Sequence, residues 1–456
     1  MNEPQHGRAL ARAAVDWRRR EIPEEVALKT RLHILDTLAA IVSGSALEAG
    51  RAGQSYVRGL GGPGIATVLG SGDRVPLIEA ALANGMAAHA DESDDSHETS
   101  QTHPGCGVVP AALAVAEATG ASGDAFIRAV SLGYEMSIRF GEAMAPGLSF
   151  ARSSLSCHAY GPLFGAGFAA GSLMEFDETQ FLILLNYLAQ EASGLTTWRL
   201  DRAHTLKSYV FAGMPASNAV KVAALVRSGF TGSGDVLDPG NRNFFDAMPS
   251  GMAPEALQRG LGQVFRILET DIKKYSVGFP IAAPISALEE IIARHAPDPE
   301  EIRQIRIRYD PDWYKVIGDE NGMPDLNLRY CMAVTLLDGG LSFAASHDEA
   351  RMQEDAVQRL GQRIDFLPSE PGQDRFEARI EIETPQGTHA ARQGLHVAGR
   401  KENPMRPDQI EAKAAELFAM VLSADEARQL VTLCRDLSQA QNLGPLIAAT
   451  VPAAQP

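Results

Sequence analysis

The sequence predicts a mainly α protein: a large all-helical domain built from both ends of the chain, with a smaller α+β domain inserted from the middle. Apolar residues recur at helical spacing through the first part of the chain, polarity alternates in two middle stretches, and helical spacing returns near the end. A chain of 456 residues is also too long for one hydrophobic core. We predict a helical domain at 1–268, an α+β domain at 269–398, and C-terminal helices at 399–456 that pack back on the helical domain.

Caps and turns mark the helices of the first domain. Pro23 followed by two glutamates favours a helix start, and apolar positions from Val26 to Ile41 continue at helical spacing. Ile65 to Gly70 indicates a short strand or extended link. Further helices are predicted at about 8–20, 76–88, 108–119, 122–134, 164–173, 177–192 and up to Val226.

The middle of the chain has the two-residue period of strands. From Ile302 to Asp310, apolar residues alternate with arginines, which predicts a half-buried strand. Phe376 to Ile382 alternates with charged residues, and Pro385-Gln386-Gly387 then predicts a turn into a second strand. Helical spacing returns from Pro407, and Ser423 with Glu426 predicts a capping box before the last helix.

Composition and charge exclude several classes of function. The formal net charge is −16 and no basic patch stands out, so we expect no nucleic-acid partner. The four cysteines have no CxxC pair, which argues against a zinc site or a disulfide framework and fits a reducing cytoplasm. The N-terminus lacks the apolar segment of a signal peptide, and no apolar run is long enough to span a bilayer. A cytoplasmic protein without a membrane partner is therefore expected.

One stretch concentrates chemically active side chains. Residues 88–105 hold five carboxylates and three histidines between the apolar runs 77–88 and 108–118. This stretch is either a solvated loop whose acids cap helix ends or the floor of a site. Pro104 and Gly105 force a turn directly after His103, which fixes the backbone there.

The other candidate groups lie further along the chain. Histidine and lysine can move protons near neutral pH, and lysine also holds carboxylates. A pocket with several cations and imidazoles suits a small polycarboxylate whose α-proton is removed by a positioned base. No P-loop, GxGxxG, HExxH or GxSxG motif is present. The candidates are His103, His158, Lys207, Lys273 and Tyr330.

Each candidate also has a purely structural interpretation. His158 could pack at a helix N-terminus, and one of Lys273 and Lys274 is expected to be a surface lysine. Tyr330 precedes an apolar run and could be a core tyrosine with one satisfied hydroxyl group. Asp36 fits helix packing.

Landmarks along nearly the whole chain resemble those of the MmgE/PrpD family, which includes 2-methylcitrate dehydratase, cis-aconitate decarboxylase and iminodisuccinate epimerase. Each landmark alone is weak evidence of family membership, but their occurrence together in this order is strong evidence. The landmarks are Ile34-Leu35-Asp36-Thr37-Leu38, Asn84-Gly85-Met86-Ala87-Ala88-His89-Ala90, Asp94-Asp95-Ser96-His97, His103-Pro104-Gly105, Leu132-Gly133-Tyr134-Glu135, His158 with Gly161 and Phe164-Gly165-Ala166, Lys207 with Gly213, Gly229-Phe230-Thr231-Gly232, and Tyr330 before Leu336-Leu337-Asp338-Gly339.

The resemblance implies a homodimer with a cleft between its two domains and with no metal or organic cofactor. It places His103, His158, Lys207, Lys273 and Tyr330 on positions that line the active site of the family. Glu92 stands where the family usually has Asp, and Ser96 matches its Thr or Ser. Ser96, Lys207 and Lys273 are then expected to bind the substrate.

Two departures bear on the activity. Ser276 stands where the family usually has Pro, and Gly278 stands where the decarboxylase has His. Without that imidazole, decarboxylation is disfavoured.

We therefore predict an enzyme that abstracts a proton next to a carboxylate of a small di- or tricarboxylate, most simply a hydro-lyase of the 2-methylcitrate dehydratase type. His103 would be the principal acid/base, tuned by Glu92, and His158 the second proton-handling group. Lys207 and Lys273 would hold carboxylates, and Tyr330 would hydrogen-bond the substrate or donate to the leaving group. An epimerase or racemase, a decarboxylase, and a non-catalytic family member are the alternatives, in that order.

Overall fold

The computed structural model describes residues 5–148, 153–201, 203–238, 243–318 and 322–453. The chain forms two compact units. The first comprises Met1–Ala90, Asp94–Asp271 and Pro407–Pro456, and the second comprises Asp91–Ser93 and Ile272–Arg406. Residues 399–406, which we placed with the C-terminal helices, thus belong to the second unit. So does the tripeptide Asp91–Ser93, which no sequence pattern indicated.

The first unit is built from helices and one small hairpin. The strands β1 (Ala66–Thr67) and β2 (Arg74–Val75) pair antiparallel. Helices α5 and α7 begin earlier than predicted, because the apolar spacing does not register the small and polar residues of their first turns. The helices before residue 228 are α1 (His6–Arg19), α2 (Glu24–Gly44), α3 (Glu48–Arg58), α4 (Leu77–Ala88), α5 (Pro104–Thr119), α6 (Gly123–Met144), α7 (Cys157–Leu173), α8 (Glu178–Glu191), α9 (Thr205–Ser208) and α10 (Met214–Arg227).

Helix α7 lies at the centre of this unit and packs against α5, α6 and α10. Its small residues permit the close approach. A Cβ atom added at Gly165 would collide with the carbonyl oxygen of Gly133 in α6. Next to that contact the rings of Phe140 and Phe164 stack with their centroids 3.7 Å apart. The abundance of alanine and glycine therefore serves helix packing at short distances.

One helical stretch corrects an expectation from the sequence. Between α9 and α10 the chain makes a π-helical turn, Tyr209–Gly213, so that Thr205–Arg227 runs as one 23-residue helix. By length and composition this helix could cross a bilayer, whereas we predicted from the sequence no apolar run of sufficient length. Buried residues make up 67% of its apolar window, so most of its apolar side chains pack inside the protein.

The second unit is an α+β unit around a four-stranded sheet. The strands are β3 (Gln304–Tyr309), β4 (Ile364–Pro368), β5 (Ala378–Thr384) and β6 (Gly387–Gln393), in the order β4-β3-β5-β6. Strand β4 pairs parallel with β3, and the other pairs are antiparallel. The helices of this unit are α11 (Ala282–His295), α12 (Pro311–Ile317), α13 (Leu328–Asp338), α14 (Phe343–Ser346) and α15 (Asp355–Gly361).

The predicted alternation of the strands is confirmed. Ile305 and Ile307 of β3 are fully buried and lie opposite Ile382 and Ile380 of β5. Helix α11 packs against β5 and β6, and its apolar residues join the same core. Burying each isoleucine contributes about 1.5–3 kcal/mol, so this face of the sheet holds the unit together.

The chain then returns to the first unit through α16 (Pro407–Phe418), α17 (Ala424–Arg435) and α18 (Gly444–Ala449). The predicted capping box of Ser423 and Glu426 is present at the start of α17. Helix α16 packs against α2, where Lys413 Nζ donates to Asp36 Oδ1 over 2.6 Å. Asp36 thus serves helix packing through a buried ion pair, and burial raises its pKa to about 6 although Lys413 acts to lower it.

Replacing Lys413 with Met leaves this buried carboxylate without its cation, which should cost about 3 kcal/mol of unfolding free energy. The folded pKa of Asp36 lies above its ordinary value, so its contribution to stability falls as the pH rises through about 6. The loss in Lys413→Met should therefore be smaller near pH 5 than near pH 7.5, as measured by urea unfolding. Lys221→Met, which breaks an exposed ion pair with Glu191, should cost under about 1 kcal/mol. Equal losses at both pH values would contradict the assignment.

Candidate active site

A buried carboxylate joins two histidines that lie at opposite ends of the acidic stretch. His89 follows the last residue of α4, and His103 precedes the first residue of α5. His89 Nδ1 lies 2.8 Å from Asp94 Oδ2, and His103 Nδ1 lies 3.2 Å from the same oxygen. His89 and Asp94 are fully buried, whereas the side chain of His103 is 15% exposed. The site interpretation of this stretch is therefore favoured over the solvated loop.

The charge states of this cluster follow from burial and contact. Burial lowers the pKa of His89 to about 4, so that its imidazole is neutral and donates the Nδ1 proton to Asp94. Burial alone would raise the pKa of Asp94, but His89 and His103 together hold it well below its usual range. A carboxylate anion is thus kept beside the His103 ring.

The capping interpretation does not apply to His103. It occupies the N-cap position of α5, but its side chain makes no capping hydrogen bond. The backbone N–H of Gly105 donates instead to Asp95 Oδ1 over 3.0 Å. Asp95 therefore satisfies the start of α5, and the imidazole of His103 remains available for chemistry.

Phe211 orients the other imidazoles. It lies in the π-helical turn, a feature that often occurs at functional sites. Its ring stacks on His89 at 4.6 Å and on His158 at 4.3 Å, with interplanar angles of 16° and 17°. His158 is the second residue of α7, and its ring centroid lies 6.1 Å from that of His103. Two histidines capable of proton transfer therefore lie side by side.

Glycines bring α4 and the π-helical turn close enough for this stacking. A Cβ atom added at Gly85 would lie 3.0 Å from the carbonyl group of Ala212 and from Cα of Gly213. The backbones consequently touch without side chains between them, four residues before His89 and one residue after Phe211. A larger residue at position 85 would push α4 away from the π-helical turn and so separate the rings of His89 and Phe211.

Lys207 lies within the same group of rings. Its Nζ atom is 3.3 Å from His204 Nε2, 5.3 Å from the Phe211 ring centroid and 5.6 Å from the Trp198 ring centroid. His204 has φ +59°, a left-handed backbone conformation that is uncommon for a residue with a side chain. Its Nδ1 atom lies 3.3 Å from the carbonyl oxygen of His89. Aromatic faces and one imidazole thus surround the ammonium group of Lys207.

Glu92 and Lys273 form a pair in the second unit. Lys273 Nζ lies 3.2 Å from Glu92 Oε2 and donates to the Glu92 carbonyl oxygen over 3.0 Å, and both side chains are less than a tenth exposed. We predicted that Glu92 tunes His103, but the carboxylate in contact with His103 is Asp94. Lys274 is the surface lysine of the two and pairs with Glu289.

The two remaining predicted residues make backbone contacts. The hydroxyl group of Tyr330 donates to the carbonyl oxygens of Ala345, over 2.6 Å, and Asp348, over 3.2 Å. This is the arrangement of a core tyrosine, the structural interpretation of the sequence. Ser96 exchanges backbone hydrogen bonds with Asp271 in the first unit.

The sequence did not single out several members of the site. Five carboxylates compete in the acidic stretch, so the spacing alone could not select Asp94. His89 appeared only as part of a motif, and His204 lies three residues before Lys207, a helical spacing that could have indicated it. No signal in the sequence indicated the positions of Phe211 and Trp198.

Two groups of side chains are close enough to hold a metal ion among the described residues. In the first, His89 and Asp94 are joined by Cys106, whose thiol donates to the carbonyl oxygen of His103 over 3.1 Å. In the second, formed by His97, Glu142 and Glu269, the guanidinium group of Arg266 lies 3.3 Å from both carboxylates. In both groups, donor atoms thus already have hydrogen-bond or ion-pair partners within the protein.

The neutral state of His89 can be measured directly. Its folded pKa, about 4, lies below the ordinary value of 6.5, so its contribution to stability is present above pH 6.5 and is lost as the pH falls toward 4. Nitrogen-15 NMR of the imidazoles should show a neutral ring with its proton on Nδ1 at about pH 5.5. The resonance is assigned by its loss in His89→Gln. A ring that titrates near pH 6.5 would contradict the buried donor to Asp94.

Comparison with known proteins agrees with this architecture. Residues 8–256 match the MmgE/PrpD N-terminal domain, and residues 275–439 match the MmgE/PrpD C-terminal domain. The chain is 23% identical to a cis-aconitate decarboxylase of Aspergillus terreus, over 94% of this chain and 92% of that protein. It is also 23% identical to a cis-aconitate decarboxylase of Homo sapiens, over 93% and 90%, and 21% identical to one of Mus musculus, over 92% and 88%. Since the two domain matches cover most of the chain, the protein belongs to the MmgE/PrpD family.

Proposed function

We propose that this protein is a lyase that removes the proton next to a carboxylate of a small di- or tricarboxylate and expels water from the adjacent carbon, like a 2-methylcitrate dehydratase. The observation that carries the proposal is the contact between His103 and the buried Asp94 anion. This is the arrangement of a general base held by a carboxylate. The proposal uses only side chains of this chain.

His103 is the base. Its Nδ1 atom faces Asp94, so the proton of a neutral ring is placed on Nδ1, and Nε2 keeps the lone pair. Nε2 takes the α-proton of the substrate. The imidazolium that forms is stabilised by the Asp94 anion at 3.2 Å, and this lowers the energy of the carbanion-like transition state.

His158 supplies the second proton. The electron pair released at the α-carbon forms a carbon–carbon double bond, and the C–O bond at the next carbon breaks. His158 gives its proton to the departing hydroxyl group, which leaves as water. The two ring centroids are 6.1 Å apart, which suits a proton and a leaving group on adjacent carbon atoms.

The lysines hold the carboxylates of the substrate in this proposal. Lys207 offers an ammonium group among the site rings. Lys273 keeps the carboxylate-binding role that the resemblance implies, with its charge partly compensated by Glu92. Ser96 keeps its substrate-binding role, whereas no step is assigned to Tyr330, because its hydroxyl group donates to backbone carbonyl groups.

Decarboxylation is the alternative that the names of the relatives favour. The resemblance implies a His in the decarboxylase where Gly278 stands here, so that imidazole is missing from this chain. Gly278 donates its backbone N–H to the carbonyl oxygen of Asp325, and a Cβ atom at this position would lie 2.5 Å from the side chain of Leu326. An imidazole could enter only if Leu326 moved. The lack of an imidazole at this position disfavours loss of carbon dioxide.

Epimerisation is the second candidate, because two imidazoles lie side by side. An epimerase needs two groups on opposite faces of one carbon atom, each within about 3–3.5 Å of it, so that the two groups are about 6–7 Å apart. The rings of His103 and His158 have centroids 6.1 Å apart, and both lie beside Phe211. This distance is compatible with both reactions, and the NMR experiment below separates them.

Proton NMR in D₂O tests the proposal with the purified protein and a panel of citrate, methylcitrate, aconitates, tartrates, malate and amino-dicarboxylates. We expect a new vinyl signal from one of the hydroxy acids. Deuterium exchange without a vinyl signal would replace the lyase with an epimerase, and loss of a carboxylate as carbon dioxide would replace it with a decarboxylase. Silence across the panel from a folded protein would contradict all three and favour a non-catalytic family member.

His103→Asn should lower turnover at least ~100-fold, because the base is removed while the size of the side chain is kept. The matched control is His295→Asn, which changes an exposed histidine of the other unit and should leave turnover unchanged. Turnover is followed by the same NMR signal, and folding by circular dichroism. Activity like that of the wild type in His103→Asn would remove His103 from the mechanism.

Glu92→Gln tests the role of the carboxylate on Lys273. The amide keeps the size of the side chain but removes the negative charge, so the charge of Lys273 becomes uncompensated. We expect the KM for a polycarboxylate to fall by about fivefold, which corresponds to roughly 1 kcal/mol of Coulomb energy at a partly screened site. A fall in kcat at constant KM would instead assign Glu92 a step in proton transfer.

A further inference from the structure

The tripeptide Asp91–Ser93 is fixed in the second unit by two buried ion pairs. Asp91 Oδ2 lies 3.0 Å from His347 Nε2, and Glu92 Oε2 lies 3.2 Å from Lys273 Nζ. The side chains of Asp91, Glu92 and Lys273 are each less than a tenth exposed, and that of His347 is 14% exposed. Both ion pairs join this short segment to residues more than 180 positions further along the chain.

The contacts of His347 favour a doubly protonated ring. Its Nδ1 atom lies 2.9 Å from the carbonyl oxygen of Phe343 and 3.0 Å from Ser346 Oγ, and its Nε2 atom faces the Asp91 carboxylate. The Phe343 carbonyl oxygen accepts the Nδ1 proton, and a proton on Nε2 places positive charge 3.0 Å from the Asp91 carboxylate, so both contacts are favourable when each nitrogen carries a proton.

The surrounding charges act in the same direction. Burial alone would lower the pKa of His347, but the two carboxylates that act on the ring, Asp91 and Asp325, raise it to about 9 together with the Phe343 carbonyl group. Burial would raise the pKa of Asp91, but His347 and the two hydrogen bonds from Ser93 outweigh it and lower that pKa. The pair is therefore ionic near neutral pH.

We propose that His347 is a positioning residue whose ion pair with Asp91 fixes the backbone of residues 91–93 and thereby keeps the Glu92 carboxylate on Lys273. Since Lys273 donates to both the carbonyl oxygen and the carboxylate of Glu92, a shift of this backbone moves both acceptors at once. His347 touches neither substrate nor reacting atoms in this role. For its effect on catalysis the proposal rests on the function proposed above, in which Lys273 holds a carboxylate.

The accessibility of the Lys273 ammonium group can be measured in an assay that does not depend on catalytic activity. Trace labelling with acetic anhydride, followed by peptide mass spectrometry, gives the reactivity of Lys273 relative to the more exposed Lys221. We expect His347→Ala to raise this ratio by about fivefold or more, because the released segment exposes the ammonium group. His347→Gln can still donate one N–H to Asp91 and should raise the ratio less. His396→Gln, an exposed histidine of the same unit, is the matched control and should leave it unchanged.

The pH dependence separates positioning from mere packing. The folded pKa of His347 lies above its ordinary value, so the stability that the ion pair contributes is fully present below pH 6.5 and is lost as the pH rises through about 9. Between about pH 8 and pH 10 the labelling ratio of the wild type should therefore rise relative to that of His347→Gln, which does not titrate at this position, because the ionisation of the two lysine amines affects both proteins alike. A ratio that is unchanged in His347→Ala, or that rises equally in His347→Gln, would overturn the proposal.

Kinetics then connect the position to catalysis. If the wild type turns over an acid of the panel, His347→Ala should lower kcat/KM by about tenfold or more, and His347→Gln should recover part of it without the alkaline limb of the pH profile. An increased labelling ratio in a wild type that is inactive on every acid would leave the positioning role in place and reject the proposed function. An unchanged labelling ratio in His347→Ala, together with an active wild type, would reject the positioning role and leave the proposed function in place.

Discussion

Two adjacent buried carboxylates organise the first unit around His103. Asp94 points to the rings of His89 and His103, whereas Asp95 points away from them, to Tyr134 and the backbone of Gly105. One carboxylate therefore holds the imidazole of His103, and the other holds the helix turn that follows it. Burying two anions side by side is costly, and the cost is offset only because each has its own set of hydrogen-bond donors.

The partners of Asp95 extend this arrangement into the core. Tyr134 donates to Asp95 Oδ2 over 2.5 Å, and His33 Nδ1 lies 2.8 Å from the same oxygen. Burial lowers the pKa of His33 to about 4 and raises that of Tyr134 well above its ordinary value, so both side chains are neutral. Gly105 is required at the centre, because a Cβ atom there would lie 2.6 Å from the hydroxyl groups of both Tyr134 and Thr37. The negative charge also lies at the positive end of α5, which stabilises it further.

The sequence predicted the fold class well because local spacing reports local burial. The alternation around Ile305 and Ile307 and the capping box at Ser423 depend only on neighbours in the chain, and both are present. The starts of α5 and α7 were predicted less well than their C-terminal ends, since small residues at a helix start carry no apolar period. The transfer of residues 91–93 to the second unit depends on contacts with Lys273 and His347, which no local pattern can reveal.

The candidate site was predictable from the sequence only in part. The residue types that perform proton transfer are few, so His103, His158 and Lys207 could be named from chemistry and resemblance, and they share rings and neighbours in the first unit. The partner of His103 could not be chosen among five carboxylates, and we chose Glu92 where the contact is made by Asp94. Their side chains differ by one methylene group, but one is directed to an imidazole and the other to a lysine. The direction of a side chain depends on the tertiary structure, which is set here by helix ends and by glycine contacts such as that of Gly85.

The backbone around the site is held in uncommon conformations, and this has a chemical consequence. His204 has φ +59°, and the π-helical turn directly after α9 places Phe211 between His89 and His158. The left-handed conformation of His204 costs about 1–3 kcal/mol and persists only where surrounding contacts determine it. Here the contacts are the hydrogen bonds of Ser208 to the carbonyl oxygens of His89 and His204. Because the rings are fixed before a substrate arrives, little reorganisation is needed in the proposed reaction when a proton moves between carbon and nitrogen, and removal of a proton from a weakly acidic carbon requires such preorganisation.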